Sequence, residues 1–439
     1  MGKSTMQLGI ITAPGYAQKI TASLKNSLPD LLDYYVDDNV EWNVDYITDS
    51  LTGATEDSSQ ILGATLDKKQ QDEWDYAICL TDLPLFKGKR PIVAEAYIEE
   101  NVALLSIPAL GATPLIKRIR ESVLQLVNEM YYGSTEEERE EAEKRIKEKR
   151  GEEYSEDQKK IKNQNSRRLL GKRLIDRISP IQRETPDEEE THIDVRFTVK
   201  SRVSGALRIL TGMVRANRPW TMFPSFMKLI VVAFATGAYA LVFPTLWMLS
   251  SNYGIWRMAM LTFVSISAMV LWIILAHRLW EGKRENVREY LRKLYNTATL
   301  LTLFVTVAMY YVLLFVLFAF AVITLIPIGM LESHVNADIS YLNYFYIAWT
   351  ATSIATIIGA LGSALENEDV VLSAAYGYRQ RQRYEESKKA KEEKKEAKEE
   401  KKEAKEEKKE AKEEKKEGER KKKEGEQKKR QEEDQGTRS

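Results

Sequence analysis

Four long apolar stretches in the second half of the chain run approximately from Ser225 to Leu249, Trp256 to Leu279, Thr297 to Met330 and Ile339 to Leu365. Each reaches the roughly 20 residues that a helix needs to cross a bilayer core of about 30 Å. Lipid offers no partner to backbone N–H and C=O groups, so such stretches can cross only as helices. The links Ser250 to Gly254 and Glu332 to Asp338 contain no Lys or Arg, whereas the link between the second and third stretches carries Arg278, Lys283, Arg284, Arg288, Arg292 and Lys293. Basic residues also crowd both flanks. This asymmetry predicts a multi-pass protein of the cell membrane with both termini in the cytoplasm.

The formal net charge of zero averages strongly segregated segments. Met1 to Thr5 lacks an apolar h-region and Gln7 to Thr12 is too short to supply one, so no signal peptide is expected. Cys79 is the single cysteine, which excludes an intrachain disulfide and a cysteine-based metal cluster.

Residues 1–132 alternate strand-like and helix-like segments, the pattern of an α/β domain with a mixed sheet. Gln7 to Ile11 is a strand that enters the turn Thr12-Ala13-Pro14-Gly15, followed by a helix interrupted near Pro29. Trp42 to Ile47 is a second strand. Tyr76 to Leu80, apolar at every position, reads as a central strand covered on both faces. Pro91 to Ala96 and Val102 to Ile107 are too close for a crossover helix and should pair as a hairpin. A helix from Pro114 to Tyr131 then covers the sheet. Residues 133–190 turn abruptly to Glu, Lys and Arg and read as a charged insertion. Ile193 to Val199 alternates with period two and should return as an edge strand within 191–200.

Across 201–222, Arg202, Arg208, Arg215 and Arg218 occupy one side of a helix and Val203, Leu207, Leu210 and Val214 the other, closing on Trp220. A basic amphipathic helix in this place is expected in the membrane interface, with Arg208, Arg215, Arg218 and Trp220 facing anionic lipid; the alternative is a helix packed on the domain. The transmembrane segments occupy 223–366. After them, 367–439 is a charged low-complexity tail whose seven-residue repeat, marked by Ala390, Ala397, Ala404 and Ala411, has no second apolar position and so no coiled-coil seam.

The search for chemistry yields few candidates. His192, His277 and His334 fall in unrelated places, and Gly2-Lys3-Ser4-Thr5 lacks the strand and the first glycine of a phosphate-binding loop. In α/β sheets ligands gather at the carboxyl ends of the strands, which singles out Thr12, Gly15, Thr81 and Asp82. The competing role for Asp82 is to cap the turn before Pro84. No cofactor and no metal are predicted.

The run Leu80-Thr81-Asp82-Leu83-Pro84-Leu85-Phe86, with Val93 to Ala96 and Val102 to Leu110, resembles the strand and edge hairpin of the archaemetzincins, a zinc peptidase family. Where that family carries H-E-x-x-H, this chain has Leu124, Gln125, Leu126, Val127 and Asn128. The resemblance, over about 50 residues, implies a zincin-like fold without zinc chemistry, serving as a binding module. No position carries over as catalytic.

The centres of the apolar stretches hold no Asp, Glu, Lys or Arg, which disfavours a coupled transporter. Ala351, Ala355, Gly359 and Ser363 recur every four residues and let helices approach closely. The expected function is a non-enzymatic α/β module in the cytoplasm that binds a ligand or protein and is anchored by four helices. The alternatives are an enzyme using the loops near Gly15 and Asp82, and a passive channel or transporter. The expected partners are the bilayer, anionic lipid at its cytoplasmic face, and a second copy or another protein; nucleic acid is not among them.

Overall fold

A computed structural model describes residues 4–49, 57–112, 115–133, 181–186, 193–222, 226–282, 289–335 and 340–362, with isolated positions elsewhere. Residues 1–384 form one compact unit and residues 385–439 a second. Ser363, the repeat alanines and most of the charged insertion lie outside the described residues.

The first unit opens with β1 (Ser4–Thr12), α1 (Tyr16–Leu24), α2 (Leu28–Tyr35) and β2 (Val40–Thr48). The break between α1 and α2 comes where Pro29, which has no N–H to donate, can sit in a first turn. Next come α3 (Ser58–Gln71), β3 (Tyr76–Thr81), β4 (Leu85–Lys87), β5 (Arg90–Tyr97), β6 (Val102–Ser106) and α4 (Leu115–Tyr132), then β7 (Ile181–Glu184) and β8 (Val195–Val199). The strand order is β2-β1-β3-β6-β5-β8-β7, with β4 added beside β5. Pairing is parallel from β2 to β6 and antiparallel from β6 to β7, so the sheet is mixed. The β5–β6 hairpin forms with Ala94 opposite Leu105 and Ala96 opposite Ala103.

Alternating strand residues feed two cores, as the pleat requires. Leu8, Ile10, Ile78, Leu80 and Leu105 pack with Leu24, Leu32, Ile119 and Val123 of the helices on one face. Ile11, Ala77, Cys79 and Leu104 pack with Ile61 and Leu62 of α3 on the other. All six residues of β3 are buried, which explains why its sequence shows no polar alternation.

β8 corrects the sequence reading: it is not an edge strand but lies between β5 and β7, with all five residues buried. Its polar positions are accommodated because the Arg196 guanidinium pairs with the Glu95 carboxylate across the β5–β8 register. The edge is β7, four residues at the end of the charged insertion whose sequence, Ile-Gln-Arg-Glu, carries no strand pattern. There Arg183 reaches the buried Glu129 of α4 at 3.4 Å.

One phenol in this domain responds to pH in a calculable direction. Burial pushes Tyr46 from its ordinary 10.0 up to about 12, and its hydroxyl has no hydrogen-bond partner among the described residues. The folded state therefore favours the protonated phenol. Its contribution is complete below pH 10 and is lost as pH rises towards about 12. Unfolding midpoints should fall more steeply over this interval for the unaltered chain than for Tyr46→Phe. Parallel curves would refute the assignment.

After β8 the chain continues as α5 (Arg202–Asn217), with Ser201 Oγ accepting from the Ser204 N–H at 3.4 Å as an N-cap, and then the short α6 (Pro219–Met222). The apolar helices are α7 (Met227–Ala240), α8 (Pro244–Ser251), α9 (Ile255–Ala276), α10 (Glu289–Leu325), α11 (Ile328–His334) and α12 (Tyr341–Gly362). Three of them, α9, α10 and α12, are individually long and apolar enough to cross a membrane, and α7 with α8 makes a fourth if the pair is one span. That first stretch is not the continuous helix expected over Ser225 to Leu249. It bends by 91° between α7 and α8, where Pro244 cannot donate to the preceding turn and begins a new helix instead. The third stretch likewise ends at Leu325, ahead of Pro327, and not at Met330.

Outward residues of these helices, among them Trp256, Phe263, Leu275, Val312, Val316 and Phe320, are as apolar as the inward ones. Such all-round apolarity fits a lipid surround and not water. Inside, Gly237 of α7 admits the Phe318 ring and brings Ala355 within 3.1 Å of where its Cβ would stand. Gly359 admits the Tyr310 hydroxyl in the same way. Three helices are also joined by hydroxyls: Trp349 Nε1 donates to Thr262 Oγ1 at 2.6 Å, Thr262 meets Tyr311 at 3.1 Å, and Tyr311 meets Ser353 at 2.7 Å. In an apolar surround such links replace the missing water.

Candidate functional site

The 2-1-3 strand order places a reversal between β1 and β3, where the chain leaves β1 for one side and returns on the other. Thr12 ends β1, Gly15 begins the turn into α1, and Thr81 with Asp82 ends β3, so the four expected ligand residues gather at one edge of the sheet. Gly15 is at φ +98°, a backbone angle that suits glycine. Thr12 Oγ1 donates to the Ile47 carbonyl at 3.2 Å, towards β2. Thr81 Oγ1 accepts from the Leu83 N–H at 3.2 Å, which makes Thr81 a cap of the turn before Pro84. Ser106 Oγ closes the same loop by donating to the Leu83 carbonyl at 2.7 Å.

This edge is not open. Thr12, Thr81 and Asp82 are at most 2% exposed, and Asp82 is engaged within the fold. The cover is α5. Its Gly205 lies against Pro91 and Val199, at the β5 and β8 ends. Gly212 rests on the Pro108 carbonyl in the turn after β6. Arg208 Nε donates to the Ala109 carbonyl at 2.8 Å. Arg215, near the last turn, hydrogen-bonds the Tyr16 phenol at the start of α1. The helix thus crosses the carboxyl edge from β8 past β5 and β6 to β1.

Arg208, expected to face lipid, is therefore buried at 3% exposure against the sheet turn. Close approach forces this. The inward face of α5 is built of Gly205, Arg208, Ile209, Gly212, Met213 and Ala216, whose small members bring the helix onto the backbone, leaving the arginine stem only the cleft beside Gly111. Gly111, at φ +83°, has Arg208 Cγ and Arg118 Nη1 within 3.5 Å of its would-be Cβ, and Arg118, fully buried, donates to the Leu110 carbonyl. Neither Arg118 nor Tyr16 is singled out by the sequence. The signal that could have corrected the placement of Arg208 was the seven-residue spacing of Gly205 and Gly212, which puts both on one helix face.

The other two basic residues lie at the end of α5. The Arg215 guanidinium stacks 4.3 Å from the Trp220 ring centroid. Arg218 ends the helix at φ +52°. Burial raises the Tyr16 phenol above its ordinary range, opposed by the hydrogen bond from Arg215 and the charges of Arg215 and Arg218. Among the described residues no group of three or more His, Cys, Asp or Glu could hold a metal ion. Leu124, Leu126 and Val127 of α4 are packing residues of the sheet core.

Below the covered edge the domain continues into α10. Leu291, Leu294, Tyr295 and Ala298 belong to the same core as Leu8 and Ile10. The Tyr290 ring meets Phe86 edge to face at 5.3 Å. Asn217, the last residue of α5, donates to Thr302 Oγ1 of α10 at 2.8 Å. No family model, curated protein or solved structure matches this chain.

Proposed function

We propose that this chain is an integral protein of the cell membrane whose α/β domain, in the cytoplasm, is a non-enzymatic module that binds a ligand or protein and passes the event to four anchoring helices. The observation that carries this reading is the double membership of α10. Its first turns complete the sheet core, and its remaining turns pack among the apolar helices. A change at the sheet edge thus bears on a helix that continues into the lipid-facing part without a joint. The gathered positions Thr12, Gly15, Thr81 and Asp82 would respond to a ligand through α5, which covers them.

Orientation is tested with single cysteines in a Cys79→Ala background. Gly254, Gly282 and Gly329 have nothing within 4 Å of a would-be Cβ, so each accepts the substitution. In intact cells an impermeant maleimide should label Gly254→Cys and Gly329→Cys, and should label Gly282→Cys only after permeabilisation. The reverse pattern overturns the cytoplasmic placement. Binding is tested by native mass spectrometry of the full chain released from detergent, together with cross-linking in cells. A stoichiometric small molecule or a specific protein adduct supports the module, and the absence of both refutes it.

A further inference from the structure

α5 has a second face, part of which no described residue covers. Val203 and Leu207 are 75% and 59% exposed, and Leu210 and Val214 continue the line half-buried at i+7 and i+11. Leu210 leans on the sheet core, but Val203 and Leu207, with Val214 in line, form an outward apolar stripe that needs an apolar neighbour. Continuity with the membrane region says which. One residue, Arg218, separates α5 from α6, and α7 begins at Met227, with Met227, Val231 and Val232 presenting an exposed apolar face. The charges are placed to match: exposed Lys200 and Arg202 stand at the start of the helix, and Arg215, Arg218 and Trp220 at its end.

We propose, resting on the membrane reading above, that α5 lies in the cytoplasmic headgroup layer, with Val203, Leu207 and Val214 at the acyl boundary and Arg202 and Arg218 on the phosphates of anionic lipid. This keeps the interfacial helix expected from sequence and changes the place of Arg208. The apolar stripe is the lipid contact, while Arg208 on the opposite face holds the turn at the carboxyl edge of the sheet. Lipid on one side of the helix and the covered edge on the other make α5 the element through which leaflet charge reaches Asp82 and its neighbours. A basic residue close to an anionic surface contributes on the order of 1 kcal/mol, about a fivefold change in partition, so removing two is readable.

The test uses the full chain in nanodiscs, with Cys79→Ala and one introduced cysteine carrying a bimane fluorophore, and brominated acyl chains as quencher. Leu207→Cys and Val231→Cys are compared in phosphatidylglycerol and in phosphatidylcholine discs. The expected result is quenching at both positions, stronger for Leu207→Cys in phosphatidylglycerol, with that excess lost in an Arg202→Gln/Arg218→Gln background and Val231→Cys unchanged throughout. Quenching at Val231→Cys without quenching at Leu207→Cys would sink this proposal and leave the membrane reading standing. Quenching at neither would sink both. Quenching at Leu207→Cys that is equal in the two lipids would overturn the headgroup assignment.

Discussion

Arg196→Met should lower the stability of the chain by about 3–5 kcal/mol, the cost of leaving one member of a buried ion pair behind. Glu95 is fully buried in β5, its Oε1 is held by Arg196, and its other oxygen has no hydrogen-bond partner among the described residues. With methionine opposite, the carboxylate keeps its position between β6 and β8 and loses its counter-charge. At the roughly 2–4 °C per kcal/mol typical of units of 150–250 residues, the thermal midpoint in detergent should fall by about 10 °C. The double replacement Glu95→Leu/Arg196→Met should recover most of that loss, because it removes the charge along with its partner. A fall of less than about 2 °C for the single variant would mean that water reaches Glu95 and that the pair is not the buried contact described.

Gly212→Val carries the second large effect. A Cβ at this position falls on the Pro108 carbonyl, a backbone group that cannot swing aside. α5 must then lift from the turn, at about 1–3 kcal/mol for the overpacking. A similar amount is added if Arg208 and the Ala109 carbonyl part company in the interior. Gly63 of α3 supplies the control. It is also helical but has nothing within 4 Å of its would-be Cβ, so Gly63→Ala should raise stability by about 0.5–1 kcal/mol. Opposite signs at two helical glycines, read by thermal unfolding, separate steric contact from helix propensity. A neutral or stabilising Gly212→Val would show that α5 does not rest on the sheet edge.

What could be read from the sequence follows from which forces leave a periodic trace. β3 and the apolar helices announce themselves because burial from every side demands apolar residues at every position. The β5–β6 hairpin follows from a link too short for anything else. β7 left no trace, since its four residues at the sheet margin are held by ion pairs such as Arg183 with Glu129 and not by an apolar stripe. In α5 the expectation fails at Arg208, which is buried. The usual inference sends apolar residues inward, but here the inward face is made of glycines and an arginine that trades solvent for main-chain carbonyls, and the outward face is apolar. The bend before Pro244 was visible in principle, as a proline inside an otherwise continuous apolar stretch. Thr12, Gly15, Thr81 and Asp82 lie together at the ends of β1 and β3, as strand ends legible in the sequence imply. That this edge lies beneath a helix was beyond reach, because the helix comes more than a hundred residues later in the chain.

The shared helix α10 also orders events in time. Residues 1–199 contain every strand of the sheet, yet the core they build is finished only by Leu291, Leu294, Tyr295 and Ala298. At about 5–20 residues per second of synthesis, those side chains leave the ribosome several seconds after β8. On the membrane reading proposed above, two apolar stretches enter the bilayer in that interval. The domain therefore waits, with part of its core uncovered, for membrane insertion to deliver the missing piece. On that reading, a chain that fails to insert lacks the piece that completes its α/β core. Membrane integration becomes a checkpoint for the domain's own folding, and a fragment ending near residue 200 should be degraded or aggregate where the full chain persists.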